Sequence, residues 1–168
     1  MKIFHLFFCL LLHSVLPAQS IGLRIGHSLV PADHVSLRYE HWTNSVINLT
    51  GSVFYEQSKA NSLRYSNIGF DLLGEYASNR QDELSSLFGW RVGFGGTIQN
   101  EIETWLFKNN SFSQRINYGF VGEGAFECYL TENFRLSLFA QQKFLLRPAL
   151  GSTRFAFGIG LTYNLSRY

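Results

Sequence analysis

Two closely spaced carboxylates are candidates for acid–base catalysis. Glu123 and Glu127 lie four positions apart, and a glycoside hydrolase needs its two carboxyl groups within about 5–10 Å of each other. On an extended strand both side chains would share one face, but about 13 Å of backbone would separate them. The spacing therefore favours structural ion pairs over acid–base catalysis.

Histidine beside serine is a second candidate, since a histidine base can activate a serine nucleophile. His27 adjoins Ser28, but successive residues of a strand point to opposite faces, so these two cannot form a dyad. His41 falls on the apolar side of its segment, near a strand end. The glycines of residues 93–96 lie inside a predicted strand and lack the helix that a phosphate-binding loop requires. We therefore predict a non-enzymatic protein without catalytic residues, cofactor or metal.

A larger set of charged residues has a regular spacing. Its members alternate with apolar residues, which places them on the opposite face of a strand from the apolar side chains. Both signs occur in nearly equal numbers, as expected when charges share a confined interior and pair with one another. The predicted interior network consists of Arg24, Arg38, Glu40, Asp71, Glu75, Arg91, Glu123, Glu127, Arg135, Lys143 and Arg154.

The elements that would position these charges are eight segments of alternating hydrophobicity. Each has about 8–14 residues, and a membrane-spanning strand needs about 9–11. The segments cover residues 21–30, 35–42, 46–57, 68–76, 88–98, 116–127, 134–144 and 154–165. We predict periplasmic turns at 43–45, 78–85 and 130–133, and extracellular loops at 31–34, 57–67, 99–115 and 146–153. An even number of such strands is typical of outer-membrane barrels.

Alternation alone does not say which face is buried, because a soluble calycin-like barrel turns its apolar side inward. The composition favours lipid outside: the chain is 46% hydrophobic and 16% aromatic, yet mean hydropathy is close to zero. Rows of large apolar residues on eight strands would overfill a small interior, whereas the opposite face is rich in glycine. The predicted fold is all-β, an antiparallel up-and-down transmembrane β-barrel of about eight strands. We expect its lumen to be closed.

The N-terminal residues resemble an export signal. Lys2 supplies a positive charge, residues 3–12 are almost wholly apolar, and Ala18 and Ser20 are small residues at positions that suit a signal peptidase. We predict a signal peptide in residues 1–18, with cleavage after Ala18 or Ser20, and a barrel in residues 19–168 of an outer membrane. The net charge of +2 comes without a Lys/Arg cluster, which argues against direct binding of nucleic acid.

The final segment resembles the C-terminal strand signal that outer-membrane barrels present to their insertion machinery. The residues that carry this resemblance are Gly160, Tyr163 and Leu165. Expected partners are therefore the insertion machinery, outer-membrane lipid and lipopolysaccharide.

Longer stretches resemble the conjugative transposon TraO family of Bacteroidetes. They are Ile116–Phe120, Glu127–Phe134, Gln142–Leu145 and Arg154–Gly160, with a weaker likeness at Gly89–Gly96. The resemblance covers most of residues 35–165 and implies a component of a conjugal DNA-transfer apparatus, with other transfer proteins as partners. Two alternatives stay open, namely a generic small surface barrel for adhesion or envelope stability, and a lipid A-modifying barrel enzyme.

Overall fold

Eight antiparallel strands form a closed barrel in the computed structural model, and each strand pairs with its neighbours in sequence. The structure describes residues 19–29, 32–43, 46–60, 63–78, 87–105, 111–146 and 152–165. The strands are β1 (Gln19–Ser28), β2 (Ala32–Trp42), β3 (Ile47–Ala60), β4 (Leu63–Ala77), β5 (Phe88–Trp105), β6 (Ser111–Tyr129), β7 (Phe134–Leu145) and β8 (Thr153–Asn164). The predicted fold class and strand number are confirmed.

Closure depends on the pairing of β1 with β8, which runs from Ser20↔Asn164 to Ser28↔Ala156. The predicted signal peptide, residues 1–18, lies outside the described residues. Because β1 begins at Gln19, cleavage after Ala18 would leave the strand whole, and cleavage after Ser20 would remove its first two residues. In the described part of the chain, no helix has the length and apolarity needed to cross a membrane.

Burial alternates along the strands in the opposite sense to a soluble barrel. Positions of β2 alternate between buried and more exposed, and the buried ones include Arg38 and Glu40, which are both fully inaccessible. Large apolar side chains such as Leu37, Phe94 and Leu161 are about half exposed on the outer face. A soluble calycin-like barrel, with apolar residues inside, does not fit this arrangement.

Three predicted loops are wrong in their extent, because strands continue through them. Residues 57–67 contain the end of β3 and the start of β4, which pair down to Ala60↔Leu63. Residues 99–115 contain the ends of β5 and β6, which pair as far as Trp105↔Ser111. Residues 31–34 include the first residues of β2. These stretches are rich in polar residues, so the regular hydrophobic alternation ends before the backbone pairing does.

The extended hairpins make one side of the barrel higher than the other. Pairing of β6 with β7 begins only at Gly119↔Leu145, whereas β6 pairs with β5 from Ser111 onward. Residues 111–118 of β6 therefore rise about 26 Å farther along the strand, at about 3.3 Å per residue. We call this part of the sheet, formed by β3 to β6 above the level of Gly119, the tall wall.

Glycine allows neighbouring strands of the barrel to approach each other closely at several points. A Cβ added at Gly119 would lie 2.0 Å from the carbonyl oxygen of Phe144, and one at Gly95 would lie 1.9 Å from that of Leu72. A glycine within a strand marks such sites, where another backbone passes too near for a side chain. An eight-stranded barrel is narrow, and these contacts allow its sheet to bend tightly.

Candidate functional site: the charged interior

Arg38 lies at the centre of an ion-pair network inside the barrel. Its Nε donates to Glu40 at 2.7 Å and its Nη1 donates to Glu123 at 3.0 Å. Its Nη2 donates to Glu75 and, at 3.0 Å, to the hydroxyl of Thr50. The planar guanidinium presents five N–H groups in a fixed fork, so one side chain binds carboxylates from three directions.

Two further arginines extend this network around the interior. Arg91 donates to Glu40 at 2.8 Å and lies 3.0 Å from an oxygen of Glu127. Arg135 donates to Glu40 and lies 3.3 Å from Glu127. The side chains of Arg91, Arg135, Glu40 and Glu127 are all buried. Glu40 is shared by Arg91 and Arg135 in addition to Arg38.

Arg24 completes the group by donating to Glu123 at 2.8 Å. We call this group the ion layer; its members are Arg24, Arg38, Glu40, Glu75, Arg91, Glu123, Glu127 and Arg135. Its four arginines and four glutamates balance in charge. A buried charge without a partner is strongly destabilising, so this balance allows eight ionised groups to share a small interior.

Aromatic rings follow the ion layer along the strands, and we call them the aromatic septum. His34 stacks on Phe54, with ring centroids 5.9 Å apart, and its ring lies 6.0 Å from that of Phe139. Arg24 of the ion layer lies 4.6 Å from the Phe139 ring centroid, and Lys143 lies 3.1 Å from that of Phe54. Cations held over ring faces are attracted by the ring quadrupole. Each of the two phenylalanine rings of the septum therefore has a cation close to its face.

A second polar group lies beyond the septum, towards the tall wall, and we call it the outer cluster. Lys143 Nζ lies 3.0 Å from a carboxylate oxygen of Asp71, and Arg154 pairs with Glu101. The His34 ring, which also belongs to the septum, lies 3.1 Å from Glu56 through Nδ1.

Amide side chains complete the outer cluster by donating to its carboxylates. Asn67 donates to Glu56 at 3.0 Å, Gln99 donates to Glu101 at 2.7 Å, and Asn117 also donates to Glu101. Because these carboxylates are buried, the amide donors supply hydrogen bonds that water would otherwise provide.

The structure places all eleven charged residues predicted for the interior on the inner face, where each is buried. Eight of them form the ion layer, and Asp71, Lys143 and Arg154 belong to the outer cluster. Glu56, Glu101 and His34 are not among the predicted residues. Glu101 and His34 lie in stretches predicted as loops, whereas Glu56 lies near the end of the predicted segment 46–57 and is not assigned to its inner face. Continuing the alternation of β3 to Glu56, and that of β5 past Ile98, would have identified both carboxylates.

The residues of the predicted C-terminal signal lie on β8 and just after it. Gly160 is buried on the inner face, whereas Tyr163 and Leu165 are exposed on the outer face. Their role in assembly stays a prediction.

His27 and Ser28 point to opposite sides of the wall, as strand geometry requires. Ser28 is buried and donates to the carbonyl of Phe155 at 3.2 Å. His27 is on the outer face, where its Nδ1 lies 3.6 Å from Asp33, a distance too long for a hydrogen bond. His41 is half-buried. Within the described ranges, no group of three His, Cys, Asp or Glu side chains is arranged to hold a metal ion.

The fold is that of the small outer-membrane β-barrels. The N-terminal β-barrel domain of Pseudomonas aeruginosa OprF superimposes with a TM-score of 0.68 at 14% identity, over 88% of this chain and 97% of that one. Neisserial surface protein A (NspA) gives 0.65 at 10% identity, over 87% and 94%. Ail, the attachment invasion locus protein of Yersinia pestis, gives 0.60 at 10% identity, over 88% and 98%.

The same fold also occurs in an enzyme, the outer membrane enzyme PagL, with a TM-score of 0.54 at 10% identity over 86% of this chain and 98% of that one. No protein-family model and no curated protein sequence matches the chain. At these identities the comparisons define the architecture, and the function has to be argued from the residues of this chain.

Proposed function

We propose that this protein is a non-enzymatic outer-membrane barrel that serves a conjugal DNA-transfer apparatus. The observation that supports a membrane location most directly is the inverted arrangement of polarity, with buried ion pairs inside and exposed Leu, Ile and Phe side chains outside. In water such a surface would aggregate, whereas in a bilayer the apolar side chains contact lipid tails.

Aromatic side chains support the same location. Tyr76 packs against Trp90 on the outer face, with ring centroids 5.9 Å apart, and Phe134 packs against Tyr163 at 5.1 Å. Both pairs lie towards the rim that carries the Leu130–Asn133 turn, the rim predicted to be periplasmic. Aromatic girdles of this kind mark the lipid–water interfaces of membrane barrels.

The role in conjugation rests on the resemblance to the TraO family. Its likeness around Glu127–Phe134 falls on the end of β6, the tight turn and the start of β7, and the likeness at Arg154–Gly160 falls on β8. The expected partners are other transfer proteins rather than DNA, because the interior cations are buried in ion pairs and cannot contact phosphates.

Two experiments test this proposal in order. A membrane barrel extracted in detergent should sediment with the outer-membrane fraction and migrate faster on a gel when it is not boiled. Deletion of the gene should then lower the frequency of plasmid or transposon transfer, and expression of the intact chain should restore it. A heat-modifiable outer-membrane protein whose loss leaves transfer unchanged would refute the role in conjugation and favour a surface barrel for adhesion or envelope stability.

The tall wall favours the second candidate function, a surface barrel for adhesion or envelope stability. In this wall four strands extend well past the level at which β7 and β8 end. The third candidate function is that of a lipid A-modifying enzyme. Altered lipid A in a strain that overproduces the protein would support the enzyme and refute the non-enzymatic proposal.

A further inference from the structure

One edge of the tall wall lacks a strand partner among the described residues. β6 pairs with β5 along its whole length, but its pairing with β7 ends at Gly119↔Leu145. The last bond to the β7 side is donated by the amide of Leu146 to the carbonyl of Tyr118 at 3.0 Å. Within the described ranges, residues 111–117 of β6 have no strand on that side. An unpaired edge of this kind is a template for another extended chain.

The direction of each backbone group on this edge follows from strand geometry. The N–H and C=O of one residue point to the same side, and those of the next residue point to the other. Because Tyr118 faces β7, the backbone groups of Ile116 and Gln114 also point to the free edge. The amide of Tyr129 donates to Leu87 on the β5 side, which confirms that odd-numbered residues of β6 face β5.

The side chains beside the free edge indicate what would pair with it. Arg115 is exposed and takes part in none of the ion pairs of the described residues, while its cross-strand neighbour Glu101 is paired with Arg154. On the outer face of the same strand, Ile116 is 68% exposed. A strand added here would place its side chains beside these two on the respective faces.

A second copy of this chain is excluded as the occupant by symmetry. Two copies in one membrane have the same orientation, so they are related by rotation about the membrane normal. That rotation would make the two β6 edges parallel. Each N–H of one copy would then lie opposite the same N–H of the other copy, and no C=O would be there to accept it. The strand has to come from a different polypeptide or a different segment.

We propose that the free edge of β6 binds an extended peptide segment of a partner protein by strand addition, and that this segment carries an acidic residue facing Arg115 and an apolar residue facing Ile116. Backbone hydrogen bonds would supply affinity, and the alternating side chains would supply specificity. The inference rests on the proposed membrane location only for the exclusion of a second copy.

The test uses the full chain folded in lipid nanodiscs and a phage-displayed library of random ten-residue peptides as the probe. We expect selected peptides to alternate apolar and polar residues and to be enriched in Asp or Glu. Gln114→Pro should weaken their binding at least tenfold, because it removes an N–H from the free edge and leaves the bonds to β5 intact. Proline is tolerated on edge strands for this reason.

Gln114→Ala is the matched control, since the Gln114 side chain donates to Asn100 at 3.2 Å and both variants lose that contact. Binding to Gln114→Ala should stay within about twofold of wild type, and Arg115→Glu should shift selection towards Lys and Arg. Heat-modifiability of each variant shows that the barrel has folded. The proposal is overturned if no peptide is selected, or if the selected peptides bind Gln114→Pro as well as wild type. Neither of these two results affects the measurement of transfer frequency in the deletion strain. The proposed strand addition and the proposed role in conjugation can therefore fail separately.

Discussion

Arg38 shows how much of the interior depends on a single side chain. It donates to three carboxylates, Glu40, Glu75 and Glu123, and is fully buried. Its removal would leave three anions facing one another without their shared cation. The barrel therefore gains specificity from these contacts, since one register alone brings all of the partners together.

We expect Arg38→Met to lower the free energy of unfolding by about 3–5 kcal/mol, the usual cost of leaving one buried charge uncompensated, because four glutamates would then face three arginines. Arg38→Lys should recover only part of this loss, because an ammonium group lacks the guanidinium fork. Urea unfolding in phospholipid vesicles, followed by tryptophan fluorescence, measures both variants. The control is Arg115→Met, which removes an exposed arginine and should change little. Equal effects of Arg38→Met and Arg115→Met would contradict the structural account of the ion layer.

At the residue scale, the sequence predicted the inner face of the membrane-spanning part of the barrel well. Alternation assigned Arg24 and the other charged residues to one face because apolar neighbours of regular period surround them. It could not assign their partners, since Arg38 and Glu123 lie 85 positions apart and meet only when the barrel closes. Glu101 escaped prediction because polar residues interrupt the alternation of β5 after Ile98. Glu56 lies inside the predicted segment 46–57, but the apolar Phe54 precedes it on the inner face and breaks the polar pattern there.

At the element scale, curvature of the strands depends on where side chains are absent. Gly119 and Gly124 lie on the same strand, β6, but differ in their surroundings. A Cβ at Gly119 would meet the backbone of Phe144 at 2.0 Å, whereas no atom lies within 4 Å of one at Gly124. The pairing of β6 with β7 begins at Gly119, so this contact fixes the point where the two strands meet.

We expect Gly119→Ala to destabilise the barrel by about 1–3 kcal/mol, as overpacking against rigid backbone does. Gly124→Ala should be neutral or slightly stabilising, because glycine in a strand interior costs about 0.5–1 kcal/mol relative to alanine. The same urea titration measures the free energy of unfolding of both variants, and heat-modifiability on a gel shows whether each barrel has closed. A Gly124→Ala variant that loses as much stability as Gly119→Ala would contradict the proposed origin of the bend.

The predicted C-terminal signal also belongs to the element scale. Leu165 directly follows β8 and is exposed on the outer face. We expect Leu165→Asp to lower the amount of protein assembled in the outer membrane of living cells, while refolding of the purified chain in detergent micelles stays efficient. A variant that assembles normally in cells would show that recognition by the insertion machinery does not use this residue.

At the scale of the whole molecule, side chains contact one another across the interior at more than one level. The ion layer, the aromatic septum and the outer cluster follow one another along the inside of the barrel. An eight-stranded barrel leaves an interior just wide enough for side chains, and here the side chains are held by charge-assisted hydrogen bonds. These contacts predict an interior filled by side chains rather than an open channel.

We therefore expect no stable openings when the purified protein is reconstituted in planar bilayers. Phe54→Ala combined with Phe139→Ala, which removes the two phenylalanines of the septum, should still not conduct because the ion layer remains in place. The matched control is Phe120→Ala combined with Phe126→Ala, which alters only the outer face. Large, long-lived openings of the wild-type protein would show that the interior network rearranges in a membrane.

The origin of the ion layer in six different strands has a consequence for how the protein enters a bilayer. The β1–β2 hairpin carries Arg24, Arg38 and Glu40, but the partner that Arg24 and Arg38 share, Glu123, belongs to β6. A hairpin inserted alone would expose an unmatched positive charge to hydrocarbon, at a cost of about 2–4 kcal/mol for an arginine at the midplane. Insertion of this hairpin by itself is therefore uphill, which favours a transition in which the strands cross the membrane and close together.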